Sequence, residues 1–363
     1  MAERHRHGFA IVGCGVIAPT HARALQALPG AELLVAVDVD PGRARAFTSQ
    51  FGGLPETDLD RALARPDVEV VSVCVPSGLH AEVGCRAAAA GKHVLVEKPI
   101  DITLEAADRL ITSCEQAGVK LAVISQHRFD AGVRRMKDMI ASGRLGRLLL
   151  GDAMIKWYRT QEYYDSGDWR GTWALDGGGC LMNQGVHYVD LLQWTMGPVE
   201  RIFARCRTAA HQIDVEDIAT AVLSFANGAV GVLEASTAVY PGMGERLEVS
   251  GTGGTLIVES GVLRVSELKD YKGETSFYGR KVRIGEQEPE SAGGGSADPA
   301  AIGGDSHQAE IGDLLQAIEE DRQPLVTGPE ARKALEIILG VYQSAERGVE
   351  VTLPLSPAAG GGR

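Results

Sequence analysis

The sequence predicts a two-part protein: an N-terminal doubly wound α/β domain over residues 1–125, then a C-terminal α+β domain over 126–363 with a mostly antiparallel sheet. Three observations carry that prediction. In the first third, short apolar runs alternate with amphipathic segments, the grammar of a parallel sheet covered on both faces. A G-x-G-x-x-A motif stands at the first strand-to-helix turn, residues 13–18. Beyond about residue 130 the pattern changes to longer strands joined by hairpin cues, led by Asn227-Gly228.

The elements follow in order. The strand in GFAIVGCG leads to a helical ARALQAL and a second strand, AELLVAVD. DVEVVSVCVP, the helix AEVGCRAAAAG and the strand KHVLVEKP repeat the unit, and LEAADRLITSCEQAG leads to VKLAVIS. A helix around 131–142 precedes a strand near 147–158, and after three glycines another helix runs to about 196. AVLSFANGAVGVLEAS and LEVSGTGGTLIVES read as antiparallel strands. Residues 291–304 are low in complexity and read as a mobile loop. Asp305-Ser306 then caps HQAEIGDLLQAIEE, and Pro329 opens the last helix, PEARKALEIILGVYQSAE. The start, with His5 and His7, and the tail SPAAGGGR read as loose ends.

Composition narrows the function. A net charge of −12 argues against nucleic acid, whose phosphates are met by basic surfaces. No apolar run reaches the roughly 20 residues of a membrane helix, and the charged MAERHRHG is not a signal peptide. Six scattered cysteines without CxxC or zinc spacing read as reduced thiols of a cytoplasmic enzyme, and no metal cluster is expected.

The chemistry-bearing residues fall at strand ends. Gly13 permits the tight turn, and Gly15 lets the backbone of Val16 and Ile17 approach a pyrophosphate at a helix N-terminus. Asp38, 23 residues after Gly15, is placed for the adenosine ribose and favours NAD over NADP, although Arg43 offers a phosphate partner. Ser77 and His80 in VPSGLH either line the dinucleotide site or form a turn and a cap. HVLVEKPI delivers Glu97 and Lys98 to a carboxyl end, where a lysine can hold a substrate hydroxyl and help remove its proton. Gln126, His127 and Arg128 follow the strand AVIS, with Gln126 assigned to the cofactor and Arg128 to an anionic group on the substrate or the acidic surface. In GGGCLMNQGVHYVD, helical spacing puts Asn183, His187 and Asp190 on one face. Six of the chain's 19 aromatics lie in residues 157–173, so that segment, with Tyr158 and Trp169-Arg170, either walls a sugar pocket or packs an interface.

GCGVIA, VPSGLH, VEKP and GGGCLMNQGVH, in this order, resemble the Gfo/Idh/MocA family of nicotinamide-dependent sugar and cyclitol oxidoreductases. The resemblance runs from Phe9 to about Leu353, and SQHRFD and YYDSGDWRGTWALDGGG extend it toward sugar and nucleotide-sugar dehydrogenases of the UDP-N-acetylglucosamine 3-dehydrogenase type. It implies a Rossmann domain, a C-terminal domain whose open sheet supports a homo-oligomer (dimer or tetramer), and NAD as cofactor. It further implies that Lys98 and His187 form the proton-handling group. Many members carry aspartate where this chain has Asn183, and an amide can only orient the substrate. The implied activity is oxidation of a secondary hydroxyl of a pyranose, at C3, or the reverse reduction. The rival readings are a redox-neutral glycoside hydrolase or lyase, a cyclitol (inositol) dehydrogenase, and a cofactor-sensing regulator.

Overall fold

The computed structural model describes residues 5–269 and 304–356. Most of the low-complexity stretch 291–304 and nearly all of the tail lie outside the described residues. The chain divides into two compact units. The first comprises residues 1–126, 165–183 and 300–335, and the second 127–164, 184–299 and 336–363.

In the first unit, β1 (His7–Val12), β2 (Ala31–Val37), β3 (Leu54–Glu56), β4 (Val70–Val73), β5 (His93–Val96) and β6 (Leu121–Val123) form one sheet in the order β3-β2-β1-β4-β5-β6. Every pair is parallel. The order reverses between β1 and β4, so the crevice beyond their carboxyl ends is where such a sheet takes a ligand. Helices α1 (Ala18–Ala27), α2 (Pro41–Phe51), α3 (Leu59–Leu63), α4 (His80–Ala89) and α5 (Leu104–Ala117) make the crossovers. Their ends are written locally: Asp40 caps α2 by accepting from the N–H of Gly42 and of Arg43, and α5 stops at Gly118 in the left-handed region. His7 is no loose end. It opens β1, is buried, and sets Nδ1 2.9 Å from Glu69 Oε2.

The expected division at residue 125 marks only the first crossing of the chain. Ile311, Leu314 and Leu315 of α9 (Gly304–Glu319) complete the core around Phe9, Ile11, Leu25 and Leu95, and Val123 N–H donates to Val326 O. A sheet domain buries its faces with whatever helices pack on it, wherever they fall in the chain. Asp305 and Ser306 lie inside the first turn of α9 rather than ahead of it.

The second unit is built on an eight-stranded sheet of β7 (Leu148–Lys156), β8 (Val199–Arg207), β9 (Ile218–Phe225), β10 (Val230–Ser236), β11 (Arg246–Gly251), β12 (Gly254–Glu259), β13 (Val262–Leu268) and β14 (Val351–Thr352). Its order is β13-β12-β11-β7-β10-β9-β8-β14, antiparallel except for β7 with β10. The Asn227-Gly228 turn joins β9 to β10, with Gly228 at φ +82°. Helices α6 (Ala131–Ala141), α7 (Gln161–Asp165), α8 (Val186–Met196) and the latter part of α10 (Gly328–Arg347) accompany it.

Candidate active site

The first unit gathers its candidate residues at the carboxyl ends of the strands. Gly13 has φ +92°, and a Cβ there would stand 2.5 Å from Cys74 O, so the turn after β1 requires glycine. At Gly15 a Cβ would meet nothing within 4 Å, which leaves open space at the start of α1. No side chain caps that helix, so its first N–H groups can receive an anion. Val16 is largely exposed beside it, and Ile17 sits at the N-cap.

Asp38 is buried at the end of β2, its Oδ2 accepting from Cys14 N–H and its Oδ1 from Asp40 N–H, both at 2.9 Å. Those bonds lock the carboxylate in place, and each oxygen keeps capacity for a ribose hydroxyl. Arg43 pairs with Asp40 at 3.7 Å. Gln126, buried after β6, has an Oε1 that accepts no hydrogen bond from the described residues. A buried amide oxygen without a donor is costly, and a carboxamide N–H would satisfy it. The open cradle, the anchored carboxylate and this amide fit a nicotinamide dinucleotide.

Lys98 stands two residues beyond the end of β5. Its Nζ donates to Asn183 O at 2.9 Å and to Asn183 Oδ1 at 3.1 Å, so the VEKP turn and the glycine-run motif meet through this pair. Asn183 Nδ2 in turn donates to Asp176 Oδ1 at 2.9 Å. Asp176 stands immediately before the three glycines, and its burial raises its pKa against the donors and cations around it.

Two residues expected at the cofactor, Glu97 and His80, find partners inside the protein. Glu97 is turned inward, 2.8 Å from His21 Nε2 and 3.6 Å from His307 Nε2, and its Oε2 accepts the N–H of Lys98. Burial opposes its charge, but the two histidines hold it well below the usual carboxylate range. His80 is buried with Nδ1 2.7 Å from Pro99 O and Nε2 3.0 Å from Val75 O, so it braces two loops rather than offering a ring nitrogen to a ligand. Ser77, also buried, begins the intervening 3-10 turn, and Gly78 N–H donates to Leu175 O.

Arg128, in the second unit, is fully buried. Its Nε and Nη2 fork onto Asp190 Oδ2 and Oδ1 at 2.7 and 2.6 Å, and its guanidinium lies over Trp194. A substrate anion cannot compete with a bidentate carboxylate already in place, so Arg128 belongs to packing, and Asp190 to the structural face of α8.

Helical spacing also misleads around residue 183. Cys180–Gly185 form a π-type turn before α8, which alters the angular step between Asn183 and His187. His187 is buried with its ring edge-on to His127 at 5.1 Å, and His127 Nδ1 lies 2.7 Å from Asp130 Oδ2. Burial opposes a charge on His127, and Asp130 more than offsets it.

The aromatic segment splits in role. Trp157 donates Nε1–H to Glu245 Oε2 and Tyr164 pairs its hydroxyl with Thr237, both buried as packing. Tyr158 stays half-buried against Tyr240, and in the first unit Arg170 stacks on Trp169 at 4.6 Å. Sequence reasoning missed Asp176, His21 and His307. The only signal for Asp176 was a carboxylate abutting the glycine run.

A family model described as "Oxidoreductase family, NAD-binding Rossmann fold" matches residues 7–125, and one described as "GFO/IDH/MocA C-terminal domain" matches 133–257. The WlbA dehydrogenase of Bordetella pertussis, solved with NADH and UDP-GlcNAcA, is 32% identical with a TM-score of 0.84, over 97% of this chain and 100% of that one. Myo-inositol 2-dehydrogenase of Thermotoga maritima is 25% identical over 94% of this chain and 97% of its own. The 1,5-anhydro-D-fructose reductase of Ensifer adhaerens is 27% identical over 94% and 96%.

Proposed function

The chain belongs to the GFO/IDH/MocA family of NAD-binding oxidoreductases, and we propose that it oxidises a secondary hydroxyl, at C3, of the pyranose in a sugar, glycoside or nucleotide sugar, or runs the reverse reduction. The observation that carries this reading is the Lys98–Asn183 pair, a cation fixed at the carboxyl end of β5 within reach of two acceptors on one residue. Bound NAD supplies the two-electron acceptor, and the chain must manage everything else. Asp38 would hold the ribose. The start of α1 would receive the pyrophosphate, and Gln126 would hold the carboxamide. A carbinol loses its hydroxyl proton as its carbon is oxidised, so a positioned acid–base group is required. Lys98 orients the hydroxyl by donating to its oxygen, and His187 takes the proton. Asn183 orients without taking it. Trp169, Arg170 and Tyr158 line the sugar.

Nucleotide sugars stand among these substrates on the WlbA likeness, and the other relatives named above act on differing substrates. The six free cysteines support a cytoplasmic setting, and no helix among the described residues is long and apolar enough to cross a membrane. The outward residues Phe203, Val222 and Val232 sit side by side across β8, β9 and β10, with Val230 beside Leu150 on β7, and such an apolar face supports a homo-oligomer. Light scattering of the purified protein tests that state: a monomer overturns it.

The function is tested by NADH formation across UDP-hexoses, simple glycosides and inositols, with Lys98→Ala and His187→Ala alongside. We expect one class to give stoichiometric NADH and each variant to lose roughly 10²–10⁴-fold in kcat, while NADH binding, read by fluorescence, persists. Consumption of a glycoside without net NADH would mean a redox-neutral hydrolase, and turnover confined to inositols would move the substrate to a cyclitol.

A further inference from the structure

Asn183 leaves the proton-handling group short of a carboxylate, yet one stands directly behind it. Asp176 is 3% exposed. Its Oδ2 accepts from Gly171 N–H at 2.9 Å and its Oδ1 from Asn183 Nδ2 at 2.9 Å, while Asn183 Oδ1 faces Lys98 Nζ at 3.1 Å. Only one orientation of the amide gives both contacts the right sense, with NH2 toward the carboxylate and C=O toward the ammonium. An amide bound by an anion at its nitrogen end is a stronger acceptor at its oxygen end, because successive hydrogen bonds polarise one another.

We propose that Asp176 is the positioning residue of the site: acting through the Asn183 amide, its carboxylate fixes the direction of Lys98. This rests on the reading that Lys98 handles the substrate hydroxyl. The carboxylate that acts on the lysine thus lies one side chain further back, with the amide as relay of orientation and not of the proton. Burial raises the Asp176 carboxyl, opposed by Gly171 N–H, Asn183, Lys98 and Arg170.

The test is an exchange of the two side chains. Asp176→Asn, Asn183→Asp and the double variant Asp176→Asn/Asn183→Asp are compared with wild type for kcat, KM and urea midpoint. The labelling rate of Lys98 by an amine-reactive acetylating reagent is followed in parallel by peptide mass spectrometry. Asp176→Asn should lose about 10–100-fold in kcat, the scale of a misdirected catalytic group, with KM within about threefold, and Lys98 should label several-fold faster. The double variant returns a carboxylate to the chain at position 183 and should recover most of kcat and slow the labelling again. A purely structural Asp176, there to accept from Gly171 N–H, is not rescued by the exchange, so failure of rescue overturns the proposal. Unchanged kcat and labelling in Asp176→Asn also overturn it. Should Asp176→Asn fail to fold, Asn183→Ala interrupts the same chain without touching Asp176–Gly171, and slow turnover with fast Lys98 labelling is expected there, their absence overturning the proposal. The labelling needs no substrate. If no sugar is turned over, the proposed function fails while the labelling series still decides the role of Asp176.

Discussion

Arg128 shows why a residue's type is a poor guide to its task. Guanidinium groups recognise carboxylates wherever they meet them, and here the carboxylate is internal, Asp190. Both groups are buried, so removing one leaves the other charged and unsolvated. Arg128→Met should lower stability by about 3–5 kcal/mol, read as a fall in urea midpoint, with KM unchanged in the folded fraction. Adding Asp190→Leu removes the stranded charge and should recover much of that loss. A rise in KM at full stability would return Arg128 to substrate binding.

At the scale of elements, the turn between β1 and α1 uses its two glycines for different reasons. Gly13 is needed by the fold: positive φ and the nearby Cys74 carbonyl both reject a side chain. At Gly15 nothing of the protein fills the space a Cβ would enter, so under the proposed function its need is the ligand's. Gly13→Ala should therefore destabilise the protein by roughly 1–3 kcal/mol. Gly15→Ala should hold stability within about 0.5 kcal/mol yet weaken NADH binding by about tenfold or more. Thermal unfolding and fluorescence titration separate the two, and equal stability losses would refute the distinction. Asn183 makes a similar point, since a π-type turn precedes α8 and ties the amide to Lys98 instead of aligning it with Asp190.

Across the first unit, one buried cluster joins α1, the end of β5 and α9 through His21, Glu97 and His307. Burial works against a charge on His21, but Cys74 and Glu97 outweigh it and push it up to about 10, while Glu97 lies well below its usual range. A histidine raised in the folded state stabilises fully below its unfolded value, 6.5, and loses that contribution as pH climbs toward about 10. A carboxylate held low stabilises above its unfolded value, 4.5, and loses that as pH falls below it. The stability advantage of wild type over Glu97→Gln should thus peak between about pH 4.5 and 6.5 and shrink on either side. Urea denaturation across pH checks this, and a flat difference would show that the cluster is not ionised.

What the sequence determined by itself was local or periodic. The strand–helix alternation, the Gly13–Ala18 turn, the Asn227-Gly228 hairpin and the delivery of Lys98 to a strand end follow from short-range sterics and from which faces must be buried. The family followed because its motifs are contiguous. Tertiary structure decided which polar groups found partners inside the protein. Arg128, Glu97 and His80 lie in segments that follow strands, as ligand-binding residues would, yet each is consumed by groups of the protein itself: Asp190, His21 with His307, and the Val75 and Pro99 carbonyls. Asp176 gained its place behind Asn183 in the same way. A buried charge or donor must be satisfied by whatever the fold brings beside it, and that pairing is set by three-dimensional packing, which no spacing along the chain encodes.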